Sequence, residues 1–552
     1  MVQRNNEKIK AFLGDLVPGG VLSFGGCFLL LLYAPLELFF SNLEEFKFGF
    51  GQLFPLLLCL FLIGFAGCLV VLLISRGLYR RLYDVVLCVG FVAFLCTYIQ
   101  GMFLSGALPA LDGEAIHWGQ YRAQHIGSVV LWLVVGTAVV LLARFLHRQR
   151  VFKLITGVSL FLTAILLVTG ISVGVMNQGF STKVSTVMTV DGEFTMSQDE
   201  NMVIFVVDAT DGQTFLDMLE ESEFGDILED FTFYPDTVGA YPFTKYAIPY
   251  ILHGQWYENQ TDYYGFTNEA MEKSPLLQQL RQENYRMGFY DGDAAYVGGS
   301  SVDGVENVCE FSFEIGKRRQ LLKEELKLVW YKYAPWPLKP LVRVDMDRFS
   351  QVLRVPQGVS PYLWKNPYVY EAIGSHEVTL VPEKCFRFFH IEGAHVPFRY
   401  DKNVNVIQDG TYEGNMECTM TVVSAYLQKL KDAGVYDNTA IVILGDHGYD
   451  NFRDTPLLGR MNPFLAIKGR GEQHPMEISQ APVSYEDLQE IYGRLLEGKT
   501  GTEIPLYGPG VQRQRRVLFY HYLKEGYIAE YLQTGHAFDT TTFVSTGKEF
   551  YR

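Results

Sequence analysis

Asp208 directly follows the apolar run MVIFVV (Met202–Val207), and Asp446, His447 and Gly448 follow AIVIL (Ala440–Leu444) after one residue. His390 and His395 lie at and after FRFFHI (Phe386–Ile391). Two carboxylates and an imidazole offer two hard oxygens and one nitrogen, a donor set suited to zinc or manganese. Such an ion with an open position can hold a hydroxyl nucleophile or polarise a phosphoryl oxygen. The hydroxyl has to come from elsewhere. Thr244 lies in FTFYPDTVGAYPFTKYAIPYILHG (231–254), five residues before Pro249. It stands at the expected start of a helix, where the N-terminus favours an anion.

Each of these residues also has a plainer use. Asp208 alone could cap the helix that follows it. Thr244 could be a cap or turn residue, with Thr237 the rival nucleophile. Asp446-His447 could be a simple turn. Alternation along its strand suits His390 to packing as well as to function. His253 and His474 could be extra ligands or solvated loop histidines. Asp211, Asp291 and Asp293 lie near the same segments, as ligands or as surface residues.

The elements that must carry these residues alternate. Strand runs at 202–207, 386–391 and 440–444 are separated by helical segments, one at Thr214–Glu221. Another places Val422, Val423, Tyr426, Leu427 and Leu430 on one face, with Gly434 as its C-cap. This order predicts an α/β domain with a mainly parallel sheet and helices on both faces. In open α/β sheets, ligands sit beyond the carboxyl ends of the strands, where these polar residues fall.

Only 19% of the 552 residues are charged, with a net charge of −15. Residues 1–178 hold 12 Lys+Arg and 8 Asp+Glu, so 11% are charged with a net of +4. Residues 179–552 hold 34 and 53, so 23% are charged with a net of −19. This excludes an ordinary soluble chain, a disordered one and a nucleic-acid binder, because an acidic surface without a basic stripe repels phosphate backbones.

Five apolar stretches, Val21–Phe40, Gln52–Ser75, Asp84–Leu104, Ser128–Leu146 and Leu154–Val175, each approach the ~20 residues that cross a bilayer as a helix. Asp15, Glu37 and Asp84 fall near their ends, within reach of headgroups. Ten positive charges flank alternate loops (Arg4, Lys8, Lys10; Arg76, Arg80, Arg81; Arg144, Arg148, Arg150, Lys153). The other loops hold Lys47 and Arg122. The bias predicts a multi-pass protein of the cell membrane with a cytoplasmic N-terminus and everything after the fifth span outside. The expected organisation is a five-helix transmembrane domain (1–178), a linker (179–200) and an extracytoplasmic catalytic domain (201–552). Among the outer cysteines Cys309, Cys385 and Cys418, at most one disulfide can form. The cluster Trp330, Tyr331, Tyr333 and Trp336 suits a membrane interface, a glycan or a core.

Four segments, NMVIFVVDATD (201–211), the Thr244 segment, FFHIEGAHVPF (388–398) and AIVILGDHGYD (440–450), resemble the alkaline phosphatase/sulfatase superfamily. Five spans before such a domain is the layout of lipoteichoic acid synthases and phosphoethanolamine transferases. The resemblance implies an alkaline-phosphatase-like α/β fold. It implies a metal site of Asp208, Thr244, Asp446 and His447, holding one or two divalent ions, manganese or zinc. Thr244 matches the nucleophile, and His395 matches the histidine that approaches the phosphate or leaving group. The implied activity is transfer of a phosphoglycerol or phosphoethanolamine headgroup from a membrane phospholipid to a cell-envelope glycan or polymer through a phospho-threonine. The synthases and transferases usually carry Glu where Asp208 stands, whereas sulfatases and phosphatases carry Asp. The C/S-x-P-x-R run of sulfatases is absent. A hydrolase of phosphodiesters or sulfate esters uses the same site with water as acceptor. A non-catalytic receptor or transporter is the reading from another class, against which the spans show no paired mid-membrane charges.

Overall fold

The computed structural model describes residues 2–109, 111, 116–220, 222–298, 304–450, 458–504, 506–520 and 526–552. By internal contacts the chain divides into two units, Met1–Ser185 with Ser312–Pro356, and Thr186–Phe311 with Gln357–Arg552.

The first unit contains five helices, among the described residues, that are long and apolar enough to cross a membrane. They are α1 (Gly14–Ser41), α2 (Phe50–Leu78), α3 (Arg80–Phe103), α4 (Trp118–Phe145) and α5 (Arg148–Met176). At 1.5 Å per residue even the 24-residue α3 reaches about 36 Å, more than the ~30 Å hydrocarbon core. The acidic residues near the helix ends are taken up by ion pairs. Asp15 meets Arg76 at 2.8 Å and Arg148 at 2.6 Å, and Arg148 also meets Asp84 at 2.9 Å. Glu37 accepts from Lys332 at 2.7 Å.

Lys332 belongs to the Arg318–Tyr333 helix, which the expected boundary at residue 201 groups with the outer domain. Its packing groups it with the helical unit instead. Leu321, Leu328, Phe349 and Val352 share one apolar cluster with Phe39, Phe46, Phe48 and Leu53. Tyr331, Tyr333 and Trp336 are buried in this unit, with Trp330 at its surface. Trp336 stacks on Tyr121 at 5.4 Å between ring centroids. The aromatic cluster is therefore largely core.

The expected linker 179–200 is partly strand. Ser185–Met188 pairs with Val308–Phe311, and Thr195–Ser197 pairs with Thr379–Val381. The second unit is built on a seven-stranded sheet of β1 (Asn201–Val207), β2 (Thr232–Phe233), β3 (Arg286–Tyr290), β4 (Cys385–Ile391), β5 (Thr439–Leu444), β6 (Leu465–Lys468) and β7 (Glu477–Ile478). Their order is β7-β2-β6-β5-β1-β4-β3. The four central and edge strands β5, β1, β4 and β3 are mutually parallel, and β6 runs against both its neighbours. β1 is all apolar after Asn201 because both of its faces are covered. Met202, Ile204 and Val206 enter one core with Phe386, Phe388, Val442 and Leu444. Val203, Phe205 and Val207 enter the other with Phe389, Ile391, Ile441 and Ile443. A period of two thus divides each strand between two layers.

Three helices bear on the site. α6 (Gly212–Met218) follows β1. Glu221, the expected end of that helix, lies outside the described residues. α7 (Thr244–His253) closes at Gly254, whose φ of +68° is the left-handed cap that glycine adopts without cost. α8 (Tyr412–Asp432) contributes Val422, Val423, Tyr426, Leu427 and Leu430 to the second core. All eight cysteines are unpaired thiols.

Candidate metal centre

Register brings the site together. His390 on β4 lies opposite Val206 on β1, and Val206 lies opposite Leu444 on β5. Asp208 and Asp446 each follow their partner by two residues, so the carboxyl ends of three adjacent strands deliver Asp208, His390 and Asp446 to one place. Tyr290 on β3 lies opposite Phe389, which sets Asp291 beside His390.

Ligand atoms of Asp208, Asp446 and His447 all lie within 4.8 Å of one another, and all three residues are buried. His447 Nε2 is 3.4 Å from Asp446 Oδ2 and 3.8 Å from Asp208 Oδ1. The second nitrogen is committed: Nδ1–H donates to the Gly448 carbonyl at 2.7 Å, leaving the lone pair on Nε2. Asp446 Oδ1 accepts from the Ala209 and His447 amides at 3.0 and 2.8 Å, which leaves Oδ2. Asp208 Oδ1, Asp446 Oδ2 and His390 Nε2 are buried with no hydrogen-bond partner. Buried carboxylate oxygens without a partner carry a large desolvation cost unless a cation meets them. The residues therefore fit a divalent ion, with two oxygens and one imidazole nitrogen presented.

Thr244 is the first residue of α7, half-buried, with Oγ1 3.5 Å from Asp208 Oδ2. Thr237 is fully buried and donates to the Tyr234 carbonyl at 2.7 Å. The cap of the helix after Asp208 is Asp211, whose Oδ1 accepts from the Thr214 amide at 2.7 Å. Burial raises the Asp211 carboxyl to about 6. Asp293 caps a short turn through the Ala295 amide at 3.0 Å.

Asp291 accepts from His390 Nδ1 at 3.1 Å, and His390 Nε2 stands 3.5 Å from Asp208 Oδ2. His395, half-buried, borders the centre. Burial opposes charge on Asp208, yet His395, His390 and His447 hold its pKa well below the carboxylate range. Burial and the Asp208 charge push Asp446 up. Burial pushes His447 down. Burial alone would also lower His390, but Asp291 and Asp208 outweigh it and raise it well above its usual value.

The two loop histidines lie elsewhere. His253, at the far end of α7, is nine residues from Thr244, about 14 Å along the axis. Its Nδ1 accepts from the Gln255 amide at 2.9 Å. His474 pairs with Glu472 at 3.1 Å.

The backbone around the centre is close-set. Gly393 has φ +59°, and a Cβ there would meet the Asp208 amide nitrogen and carbonyl oxygen at 2.4 Å. Ala209 takes the left-handed conformation at φ +53°, which costs a non-glycine residue about 1–2 kcal/mol. Tyr412 offsets this by binding the loop on both sides. Its hydroxyl donates to the Ala209 carbonyl at 2.7 Å and accepts from the Asp211 amide at 2.9 Å. Trp364 stands over His390, ring centroids 5.6 Å apart. Tyr412, Trp364 and Gly393 carry no sequence signal of their own, because their roles depend on contacts between distant segments.

No protein-family model matches the sequence, and no curated protein matches it significantly. Among solved structures, it is similar to a protein of the alkaline phosphatase superfamily from Vibrio parahaemolyticus, at 11% identity and a TM-score of 0.38 over 66% of this chain and 85% of that one. It is similar to the lipoteichoic acid synthase LtaP from Listeria monocytogenes, at 12% and 0.33 over 65% and 88%. It is also similar to the zinc complex of the C-terminal periplasmic domain of EptC from Escherichia coli, at 12% and 0.33 over 63% and 92%. At these values the functional reading rests on the geometry of the centre itself.

Proposed function

We propose that this chain is a metal-dependent phosphotransferase of the cell membrane. It moves a phosphoglycerol or phosphoethanolamine headgroup from a membrane phospholipid to a cell-envelope glycan or polymer. The observation that carries the reading is the Thr244 hydroxyl, 3.5 Å from Asp208, beside orphaned atoms of Asp208 and Asp446. Asp208, Asp446 and His447 hold manganese or zinc, one ion or two, with Thr244 completing the set. When bound, the ion lowers the pKa of a hydroxyl and neutralises charge on a phosphoryl oxygen.

The Thr244 oxygen, its proton released to solvent, bonds to the phosphorus of the lipid headgroup as the bond from phosphorus to the diacylglycerol oxygen breaks, and diacylglycerol leaves. The start of α7 supplies amide donors to the phosphoryl oxygens. His395 protonates the leaving oxygen and then takes the proton of the acceptor hydroxyl, whose oxygen displaces Thr244 from phosphorus and returns it to the free hydroxyl. The spans and the charge bias of their loops support a cytoplasmic N-terminus and an extracytoplasmic centre.

Full-length protein in vesicles of native lipid extract, digested and weighed by mass spectrometry, tests this. A mass increment on Thr244 identifies both nucleophile and headgroup. Turnover without any adduct on Thr244 overturns the covalent scheme. Headgroup release to water at an undiminished rate without acceptor assigns the chain to the hydrolases instead.

A further inference from the structure

The centre has a nitrogen that the donor set above does not use. His390 is 3% exposed and its Nε2 has no hydrogen-bond partner. That atom and Thr244 Oγ1 each lie 3.5 Å from Asp208 Oδ2. The other ring nitrogen meets Asp291 Oδ2 at 3.1 Å. Asp291, also 3% exposed, is itself fixed, because its Oδ1 accepts from the Asp293 amide at 2.8 Å. A carboxylate behind an imidazole sets which nitrogen carries the proton and where the ring points. The parallel register of β3 and β4 builds this arrangement, and Trp364 covers the ring.

We infer that Asp291 is a positioning residue: it holds Nδ1–H of His390 so that Nε2, whose proton the incoming ion displaces to solvent, serves as a further nitrogen donor to the ion at Asp208, Asp446 and His447. The inference rests on the metal-centre reading above. It gives the ion a second imidazole beside that of His447.

Mn²⁺ titration of full-length protein in lipid nanodiscs, with free ion read by electron paramagnetic resonance, tests it. Wild type, Asp291→Asn, Asp291→Ala, His390→Gln and the Asp291→Ala/His390→Gln pair are compared. Asp291→Ala should weaken Mn²⁺ binding about 10–100-fold. Asp291→Asn, which keeps an acceptor for Nδ1–H, should recover part of that loss. Asp291→Ala should add nothing once His390 is Gln, because it acts through that ring. In the Co²⁺-loaded protein, Asp291→Ala and His390→Gln should change the visible absorption alike.

Binding by Asp291→Ala within about twofold of wild type overturns the inference, as do losses that add in the double variant. If the alanine variant does not fold, His390→Gln with wild-type affinity and an unchanged Co²⁺ spectrum overturns it equally. Failure of the wild type itself to bind a divalent ion would sink the metal-centre reading, a result distinct from unaltered binding in the variants.

Discussion

Thr244 Oγ1 stands 3.5 Å from Asp208 Oδ2, whereas the hydroxyl of Thr237, seven residues earlier, is turned away to the Tyr234 carbonyl. The two threonines should therefore separate cleanly. Thr244→Ala should lower diacylglycerol release from lipid vesicles by about 10³-fold or more while leaving the circular dichroism unchanged. Thr244→Ser should keep measurable turnover. Thr237→Ala should lower the melting temperature and spare kcat. Full activity in Thr244→Ala would refute the assignment.

The orphaned oxygens of Asp208 and Asp446 predict that folding and metal binding are linked. Stripping divalent ions with a chelator should lower the melting midpoint, and Mn²⁺ or Zn²⁺ should restore it. At a free ion concentration of 100 Kd the gain is about 2.7 kcal/mol. Asp446→Asn should abolish the response to added ion. A midpoint indifferent to chelation in the wild type contradicts the site.

Gly393 combines a positive φ with a position where a Cβ would strike the backbone of Asp208. Gly393→Ala should cost about 1–2 kcal/mol for the left-handed conformation alone. The displacement of Asp208 adds to that. Loss of metal affinity together with lowered thermal stability is the expected pair of readouts. A variant with wild-type values of both would show that the loop yields without consequence.

Glu193 is buried, and burial raises its carboxyl from 4.5 to about 7 despite Lys429 nearby. An acid with a raised native pKa binds more protons folded than unfolded, so stability falls as pH rises between about 4.5 and 7. The shift corresponds to a loss on the order of 3 kcal/mol across that interval. Glu193→Gln should flatten this part of the stability–pH curve and stabilise the protein at pH 8 relative to wild type. Denaturant melts at pH 5 and pH 8 read the difference. An unchanged slope between those pH values would exclude Glu193 as its source.

The strands of the sheet centre were legible because MVIFVV, FRFFHI and AIVIL are apolar on both faces, a pattern few other environments produce. Asp208, Asp446 and His447 were legible because they follow those strands directly. Short β2 and β7 were not, since two residues carry no period. β6 was missed because only Leu465, Ala466 and Ile467 are apolar in Leu465–Lys468, too short a run to fix its period. Asp291 stayed ambiguous because its meaning lies in the register of β3 against β4. The Arg318–Tyr333 helix, rich in charge, reads as a surface element until its Leu321 and Leu328 are seen to be covered. The acidic residues near the span ends, expected at headgroups, required the positions of Arg76, Arg148 and Lys332 to explain them.

The Ser312–Pro356 excursion has a consequence for synthesis. β1, β2 and β3 precede it and β4 to β7 follow it, so the sheet cannot close until the ribosome has passed this segment. β1, β2 and β3 are not neighbours in the sheet, so no ladder of it forms while Leu321, Leu328, Phe349 and Val352 find their cover among the helices made first. A protease that releases the chain at residue 200 would likewise strip that cover and leave an adhesive apolar face on the shed fragment. A soluble form of the α/β unit would have to omit 312–356.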